Sequence, residues 1–187
     1  MFEDLKARLR QHEGVVPHLY LDTLGLVTCG VGHMIPSPDA MDGIAMVRKD
    51  GTVAAPEEKI AEWRRVKELQ AAMLPKYYEE RTTLRMTPAG VDALQDADVV
   101  GFHSALSHLL PGFAAFPDPA QEGLLDMAFQ LGAFGLMSKF PHLTVAAKAR
   151  DWQVCAEQCH RAGIQEWRNT ATADLFRRAA GVSNAAA

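Results

Sequence analysis

The chain has 187 residues and a mass of 20.5 kDa, enough to bury a full hydrophobic core in one compact domain or in two lobes. Hydrophobic residues make up 48% and charged residues 22%, as in ordinary globular proteins. The net charge of −4 shows no excess of basic residues that would indicate nucleic-acid binding. No apolar run approaches the length of a transmembrane helix, so we expect no membrane insertion.

The first segment predicts a helix over residues 2–12, because apolar residues recur there at helical spacing and Gly14 is a helix stop. The apolar positions are Phe2, Leu5 and Leu9. Glu13 is therefore expected at the helix C-terminus, where the negative end of the helix dipole disfavours a further negative charge. A carboxyl in this position suits a general acid.

A β-hairpin is predicted next. Leu19-Tyr20-Leu21 is a short strand-like run, and Asp22 begins a polar, open turn, which suits a general base. Residues 27–33 are predicted to form the second strand, with Gly30 and Gly32 at alternate positions. Glycines weaken a strand unless a ligand or another backbone must approach closely, so the hairpin is expected to line a cleft.

The spacing of these residues resembles the signature of the phage-type lysozymes, the muramidases of the T-even phages and their relatives. Glu13 is followed after eight residues by Asp22 and after five more by Thr28, which opens the run Thr-Cys-Gly-Val-Gly-His over residues 28–33. The resemblance implies that Glu13 protonates the leaving oxygen. It also implies that Asp22, together with Thr28, holds and activates the attacking water.

Each of these residues also has an ordinary structural explanation. Glu13 alone is compatible with a solvated helix end, Asp22 with a hairpin turn, and Thr28 with a β-branched strand residue. His33 is better explained as a hydrogen-bonded structural histidine than as a catalyst. The catalytic interpretation therefore depends on the joint spacing, because single motif residues match by chance too often.

Residues 34–98 predict four features in chain order. Prolines, glycines and aspartates punctuate residues 34–50, which are expected to complete a small β lobe. A proline-led helix is predicted over residues 56–74, and in the family a long helix here joins the two lobes. The family then goes more directly into its helical lobe, so residues 75–98 are expected to be a self-contained insertion, dispensable for the core, with a helix start at Thr87-Pro88. A further short helix is predicted over residues 98–110.

The helical lobe is predicted to contain a buried helix, because residues 117–119 form a helix start and residues 124–132 are apolar nearly all round. This stretch resembles the central helix of the family. The resemblance implies that Gln130 binds substrate and that Phe129 shapes the cleft. As an alternative, Gln130 pairs with backbone groups in the core, since a buried amide needs partners.

The segment over residues 167–178 resembles the family's C-terminal cleft wall and following helix, which implies that Thr170 contacts substrate. Many relatives carry an arginine just after that threonine, paired with the catalytic glutamate, whereas Ala171 follows here. Arg168 is the nearest substitute. The substrate-contacting residues that the resemblance implies are Gly32, Met34, Phe129, Gln130 and Thr170.

Cysteine and histidine usage predicts no metal centre. The odd number of cysteines, without metal-ligand spacing, fits reduced packing residues: Cys29, Cys155 and Cys159. His103 and His108 are five residues apart and do not share a helix face. The implied reaction needs no metal and no organic cofactor.

The predicted fold class is α+β and mainly helical. The resemblance implies a single lysozyme-like domain over residues 1–187, in which a long helix joins two lobes separated by a cleft. The small β lobe is expected at about residues 13–55, the connecting helix at about 56–74, and the helical lobe at about 75–180 together with helix 2–12.

The implied activity is hydrolysis of the β-1,4 bond between N-acetylmuramic acid and N-acetylglucosamine in peptidoglycan, with inversion of the anomeric centre and lysis of the bacterial cell. Two alternatives stay open: a lytic transglycosylase, which needs a single catalytic glutamate, and a cell-wall-binding module that has lost activity, as the missing arginine suggests. The expected partners are peptidoglycan glycan strands and an immunity or inhibitor protein. A monomer is expected.

The N-terminal segment has neither a positive n-region nor an apolar h-region, so we expect a protein made in the cytoplasm without a signal peptide. Action in the periplasm or cell wall would then require release through a holin-type hole or delivery by a secretion apparatus. The sequence leaves open a phage lysis enzyme and an effector toxin used against other bacteria.

Overall fold

A computed structural model describes residues 2–185, which contain nine α-helices and five short strands. The helices are α1 (Glu3–Glu13), α2 (Pro56–Lys67), α3 (Pro75–Glu79), α4 (Pro88–Leu109), α5 (Asp118–Leu131), α6 (Ala133–Lys139), α7 (Pro141–Ala149), α8 (Trp152–Gln158) and α9 (Glu166–Ala185). The strands are β1 (Val16–Leu21), β2 (Val27–Gly30), β3 (His33–Met34), β4 (Val47–Arg48) and β5 (Leu84–Arg85). With 62% helix and 9% strand, the predicted mainly helical α+β class is confirmed.

The chain divides into two compact units. Residues 6–98 form one, here called the sheet unit, and residues 2–5 with 99–185 belong to the other, here called the helical unit. These bounds differ from the expected lobes, because most of α1 and all of residues 75–98 belong with the strands. The division falls inside α4, and α2 lies wholly within the sheet unit, so α2 is not the helix through which the chain passes between units.

The predicted hairpin is present, but its second strand is shorter than expected. β1 pairs with β2 in antiparallel register, with Leu21 opposite Val27. The strand predicted over residues 27–33 is wrong as a single element, since the chain turns at Val31-Gly32 and returns as β3. Gly30 and Gly32 adopt positive φ values of 62° and 72°, a conformation that costs glycine little and that ends a strand.

Helix α2 starts as predicted and ends early. Glu58 accepts a hydrogen bond from the Ala55 N–H at 2.7 Å, which secures the first turn. The helix ends at Lys67, seven residues before the predicted end at residue 74. The following segment turns back instead, with a positive φ of 58° at Ala72, whose N–H bonds to the Asp22 carbonyl at 3.3 Å. This tertiary hydrogen bond holds the segment around Ala72 against the hairpin. The apolar pattern had predicted the same segment to be helical.

Residues 75–98 are not a self-contained insertion. β5 pairs with β4, and the Met86 N–H donates to the Pro17 carbonyl at 2.7 Å. The buried Glu62 carboxylate accepts hydrogen bonds from the Thr83 and Leu84 N–H groups at 2.8 and 2.9 Å. The segment therefore supplies backbone and core contacts to the sheet unit, and the prediction that it is self-contained is wrong.

The predicted helix start at Thr87-Pro88 is confirmed, since Thr87 Oγ1 accepts a hydrogen bond from the Gly90 N–H at 3.0 Å. The separate helix predicted over residues 98–110 is not. Instead, α4 continues without interruption for 22 residues, because no proline follows Pro88 within it and the Asp98 carboxylate bonds to His33 instead of starting a new helix.

We expect Tyr78→Ala to destabilise the protein by about 3–5 kcal/mol, as large-to-small substitutions of buried aromatic residues do. Tyr78 is fully buried, and its hydroxyl donates to the Gln70 carbonyl at 2.6 Å. Tyr77→Ala is the matched control, because Tyr77 is only half buried beneath the Arg81 guanidinium, and it should cost about 1 kcal/mol or less. Urea unfolding of both variants measures the difference in the free energy of unfolding. Equal, small losses in the two variants would mean that residues 75–98 contribute little to the stability of the sheet unit.

The helical unit is built around α5, which is buried over most of its length, as predicted. A positive φ of 73° at Gly132 ends α5 and starts α6, a helix that the sequence did not predict. Aromatic side chains fill the core, and the Phe116 and Trp152 rings meet edge to face with centroids 4.9 Å apart. Helices α5, α8 and α9 pack together in this unit.

Across residues 2–185, the helices are too short or too polar to cross a membrane.

Candidate active site

Glu13 is the last residue of α1, and its side chain is half buried. The helix stops because Gly14 has a positive φ of 75°, with its N–H bonded to the Arg10 carbonyl at 3.0 Å. The prediction of a carboxyl at a helix C-terminus is confirmed.

Gly32 lies directly against the Glu13 side chain. A Cβ atom at Gly32 would stand 3.6 Å from the Cβ and Cγ atoms of Glu13 and 3.7 Å from its Oε2 atom. The turn between β2 and β3 therefore covers one side of the carboxyl group. These distances are ordinary van der Waals contacts, so it is the positive φ of 72° at Gly32, and not lack of space, that favours glycine in this turn.

Asp22 lies at the end of β1 and organises the hairpin turn. Its Oδ1 atom accepts hydrogen bonds from the Leu24 and Leu26 N–H groups, both at 2.8 Å, and its own N–H donates to the Leu26 carbonyl at 3.0 Å. The predicted turn at Asp22 is confirmed. Both side-chain contacts use the same carboxylate oxygen, and the residue is half exposed.

Thr28 lies in the middle of a cross-strand row. Its Cα pairs with Tyr20 on one side and with Met34 on the other, so the three side chains share one face of the sheet. Thr28 is 4% exposed and donates to the Leu26 carbonyl at 3.1 Å, whereas Met34 is 46% exposed. The row thus goes from a buried hydroxyl to an apolar side chain that reaches the surface.

Tyr20 is a site residue that the sequence reasoning missed. Burial, followed by the charges of Glu13, Cys29 and Asp22 in that order, raises the pKa of its hydroxyl to about 12. The phenol therefore stays neutral, and its hydroxyl lies in the field of both proposed catalytic carboxylates. The signal was available, since Tyr20 precedes Asp22 by two residues and so points to the same face of the strand.

His33 forms the hydrogen bond expected of a structural histidine. Its Nδ1 atom lies 2.8 and 3.0 Å from the two carboxylate oxygens of Asp98. On the neighbouring strand Cys29 is buried, and burial followed by the charge of Asp98 raises its pKa to about 12. Its thiol is therefore neutral at physiological pH. Cys155 and Cys159 are also free and buried, which confirms the prediction of packing residues.

Phe129 and Gln130 lie at the C-terminal end of α5 in the helical unit. Phe129 is half buried, with its ring centroid 5.2 Å from that of Phe102. Gln130 is exposed, and its Oε1 atom accepts a hydrogen bond from Arg161 Nη1 at 3.0 Å. The alternative of a core amide paired with backbone is therefore wrong, because the partner is a side chain and the amide reaches the surface.

The two candidate site residues near the C-terminus, Thr170 and Arg168, differ in exposure. Thr170 is exposed on α9. Arg168, the proposed substitute for the missing arginine, is buried, and its Nη2 atom lies 3.6 Å from Asp126 Oδ1. Arg168 is thus part of a buried ionic group within the helical unit.

Within the described part of the chain, no three histidine, cysteine or acidic side chains are placed to hold a metal ion. His103 packs edge to face on Phe113 at 5.1 Å between ring centroids, and His108 Nδ1 lies 2.7 Å from the Ser104 carbonyl.

No known protein-family model matches the chain, and no curated protein is similar to it at a significant level. The resemblance to phage-type lysozymes therefore rests on the sequence motif alone, which consists of Glu13, Asp22, Thr28 and the glycines before His33.

Proposed function

We propose that the protein is a muramidase, which hydrolyses the β-1,4 bond between N-acetylmuramic acid and N-acetylglucosamine in peptidoglycan. The observation that carries the proposal is geometric: the turn after β2 places Gly32 against the Glu13 side chain, and Asp22 closes the β1–β2 hairpin of the same sheet, in which Thr28 lies on β2. Two carboxyls and a hydroxyl thus share one local environment, as the chemistry of a glycosidase with an acid and a base requires.

Glu13 is the proposed general acid. Its half-buried position at the end of α1, beside the Gly32 backbone, provides a carboxyl that can donate a proton to the leaving oxygen. Gly32 covers one side of the carboxyl with backbone alone, so a sugar oxygen would have to approach it from another side. Met34 offers an apolar surface at the exposed end of the same row.

Asp22 is the proposed general base. One carboxylate oxygen is occupied by two turn N–H groups, which holds the side chain in a fixed orientation for work at its second oxygen. Thr28 would help to hold the attacking water. Attack by a water, without a covalent enzyme intermediate, inverts the anomeric centre, and this mechanism needs carboxyls about 6.5–9.5 Å apart.

The test is digestion of purified peptidoglycan followed by mass spectrometry of the released muropeptides, together with zymography. Hydrolysis produces reducing N-acetylmuramic acid ends. Anhydro ends would assign a lytic transglycosylase instead, and peptidoglycan binding without any product would assign a binding module. Proton NMR of the first product anomer tests the inverting stereochemistry separately.

The substrate determines the proposed partners and place of action. Glycan strands lie in the periplasm or cell wall, so we propose that a holin or a secretion apparatus brings the protein there. Gene neighbourhood distinguishes the two, because a lysis enzyme should lie beside a holin gene and an antibacterial toxin beside an immunity gene. An immunity or inhibitor protein would act by covering Glu13 and Asp22.

A further inference from the structure

A small, partly open cavity lies within the sheet unit, where β1, α3 and the β4–β5 pair meet. Its volume is about 40 Å³. One water needs about 10–15 Å³, so the cavity has room for about three atoms of that size. It is lined by His18 of β1, Glu79 of α3, Lys49 directly after β4, and Arg85 of β5. All of its lining residues belong to the sheet unit.

The two buried polar side chains that line the cavity have their donors engaged elsewhere. His18 is 6% exposed, and its Nε2 atom lies 2.9 Å from the Pro75 carbonyl. Because a carbonyl only accepts, Nε2 carries the hydrogen, and Nδ1 of the neutral ring is an acceptor. Thr82, also 6% exposed, donates its hydroxyl hydrogen to the Tyr78 carbonyl at 2.9 Å. Both side chains therefore have only acceptor capacity left for a group in the cavity.

The charged side chains that line the cavity are exposed and form its mouth. They are Lys49, Glu79 and Arg85, and within residues 2–185 no salt bridge or side-chain hydrogen bond engages any of the three. The neighbouring Arg48, in contrast, donates from Nε to Glu58 Oε1 at 2.9 Å. Two cations and one carboxylate are thus available to a ligand at the mouth.

This combination of groups does not suit a simple ion. An anion would meet the Glu79 carboxylate at the mouth and acceptors on the buried wall, whereas a simple cation would meet Lys49 and Arg85. A group with an ammonium and a carboxylate on one carbon matches both sets. Its ammonium has three N–H donors for Glu79, His18 Nδ1 and the Thr82 hydroxyl oxygen. Its carboxylate suits the Lys49 ammonium and the fork of Arg85.

We propose that this cavity binds a free α-amino-acid group, and that in peptidoglycan this group is the free end of a diaminopimelate residue in the stem peptide. The identity of the ligand rests on the proposed function. The inference narrows the substrate to cell walls with diaminopimelate stems, because a lysine stem ends in an ammonium group without the neighbouring carboxylate. It also gives residues 75–85 a role at the substrate, since they supply Glu79, Thr82 and Arg85.

The test compares two N-acetylated tripeptides that differ only in this carboxylate. One is L-alanyl-γ-D-glutamyl-meso-diaminopimelate, and the other ends in L-lysine instead. Isothermal titration calorimetry with the full chain should show the diaminopimelate tripeptide binding at least about 5-fold more tightly, as expected of charge-assisted hydrogen bonds at a partly exposed site. This comparison needs no substitution in the protein.

Arg85→Gln should remove most of the preference for diaminopimelate, because it removes the fork that binds the carboxylate. Arg64→Gln is the matched control and should keep the preference, since Arg64 is an exposed arginine of α2 that does not line the cavity. All of these side chains are exposed, so the melting temperatures should stay at the wild-type value.

Glu79→Gln should act on the other half of the ligand. It removes the charged partner of the ammonium, which both tripeptides carry, so both should bind about 3-fold or more weakly with their ratio unchanged. Glu68→Gln makes the same change at an exposed residue just after α2 and should leave both affinities unchanged.

Equal affinity of the wild type for the two tripeptides, or binding of neither, overturns the inference, and so does a preference that persists in Arg85→Gln. Release of muropeptides by the wild type is measured separately. Hydrolysis together with equal tripeptide affinities leaves the muramidase proposal standing without this cavity. The expected preference in a protein that releases no product supports the cavity as an amino-acid site and removes the muramidase proposal.

Discussion

Glu13→Gln is expected to abolish cell-wall hydrolysis while the protein stays folded. The amide keeps the shape that packs beside Gly32, but it cannot donate a proton to the leaving oxygen. A positioned general acid contributes roughly 10²–10⁴-fold in rate. Turnover on purified peptidoglycan should therefore fall by roughly 10²–10⁴-fold or more. The melting temperature should be unchanged or higher, because the substitution removes a carboxyl from the carbonyl end of α1.

Glu3→Gln is the matched control for this experiment. It makes the same chemical change on the same helix, at an exposed position in the first turn, and should leave turnover at the wild-type level. Circular dichroism of both variants shows that they are folded. Wild-type activity in folded Glu13→Gln would remove the acid from the mechanism and with it the lysozyme proposal.

Asp22→Asn is expected to lower turnover by roughly 10²–10⁴-fold, the range for a lost general base. Asparagine keeps a side-chain oxygen that can accept from the Leu24 and Leu26 N–H groups, so the hairpin turn should persist. The loss then reports the missing charge and base, because the backbone contacts of the turn remain. Turnover is measured with peptidoglycan fragments beside a thermal unfolding curve.

Asp50→Asn provides the control for Asp22→Asn. Asp50 also caps a turn of the sheet unit, accepting from the Thr52 N–H at 3.0 Å, and hydrogen bonds from Thr52 lower its pKa. Both substitutions thus remove an acidic turn cap, and only the one at Asp22 should abolish activity. A similar loss in both would mean that the turns, and not the Asp22 charge, support turnover.

The sequence by itself determined the elements whose ends are set by their own residues. Gly14 ends α1 because its backbone has a positive φ there, and Thr87 starts α4 by accepting a hydrogen bond three residues along. The hairpin at Asp22 also follows from local hydrogen bonds, since every partner lies within four residues. These features depend on conformational preferences that act over one turn of chain.

Part of the candidate site was predictable for the same reason. Glu13 is the last residue of α1, and Asp22 begins the hairpin turn. Helix-stop and turn preferences of the neighbouring residues were therefore enough to predict the position of each carboxyl. Their common neighbour Tyr20 needed the strand register, which places it opposite Thr28. A period of two along the strand indicated the face, but only the pairing of strands showed which residue stood across from it.

Only the tertiary structure decided features whose partners are distant in the chain. The turn at Gly32 packs against the Glu13 side chain, which lies 19 residues earlier, and the segment after α2 turns back to bond Ala72 to Asp22. The orientation of Gln130 is set by Arg161, 31 residues away, which no pattern within α5 could reveal. Apolar spacing describes the face that an element can bury, but hydrogen bonds between distant residues decide where the element stops and which way a polar side chain points.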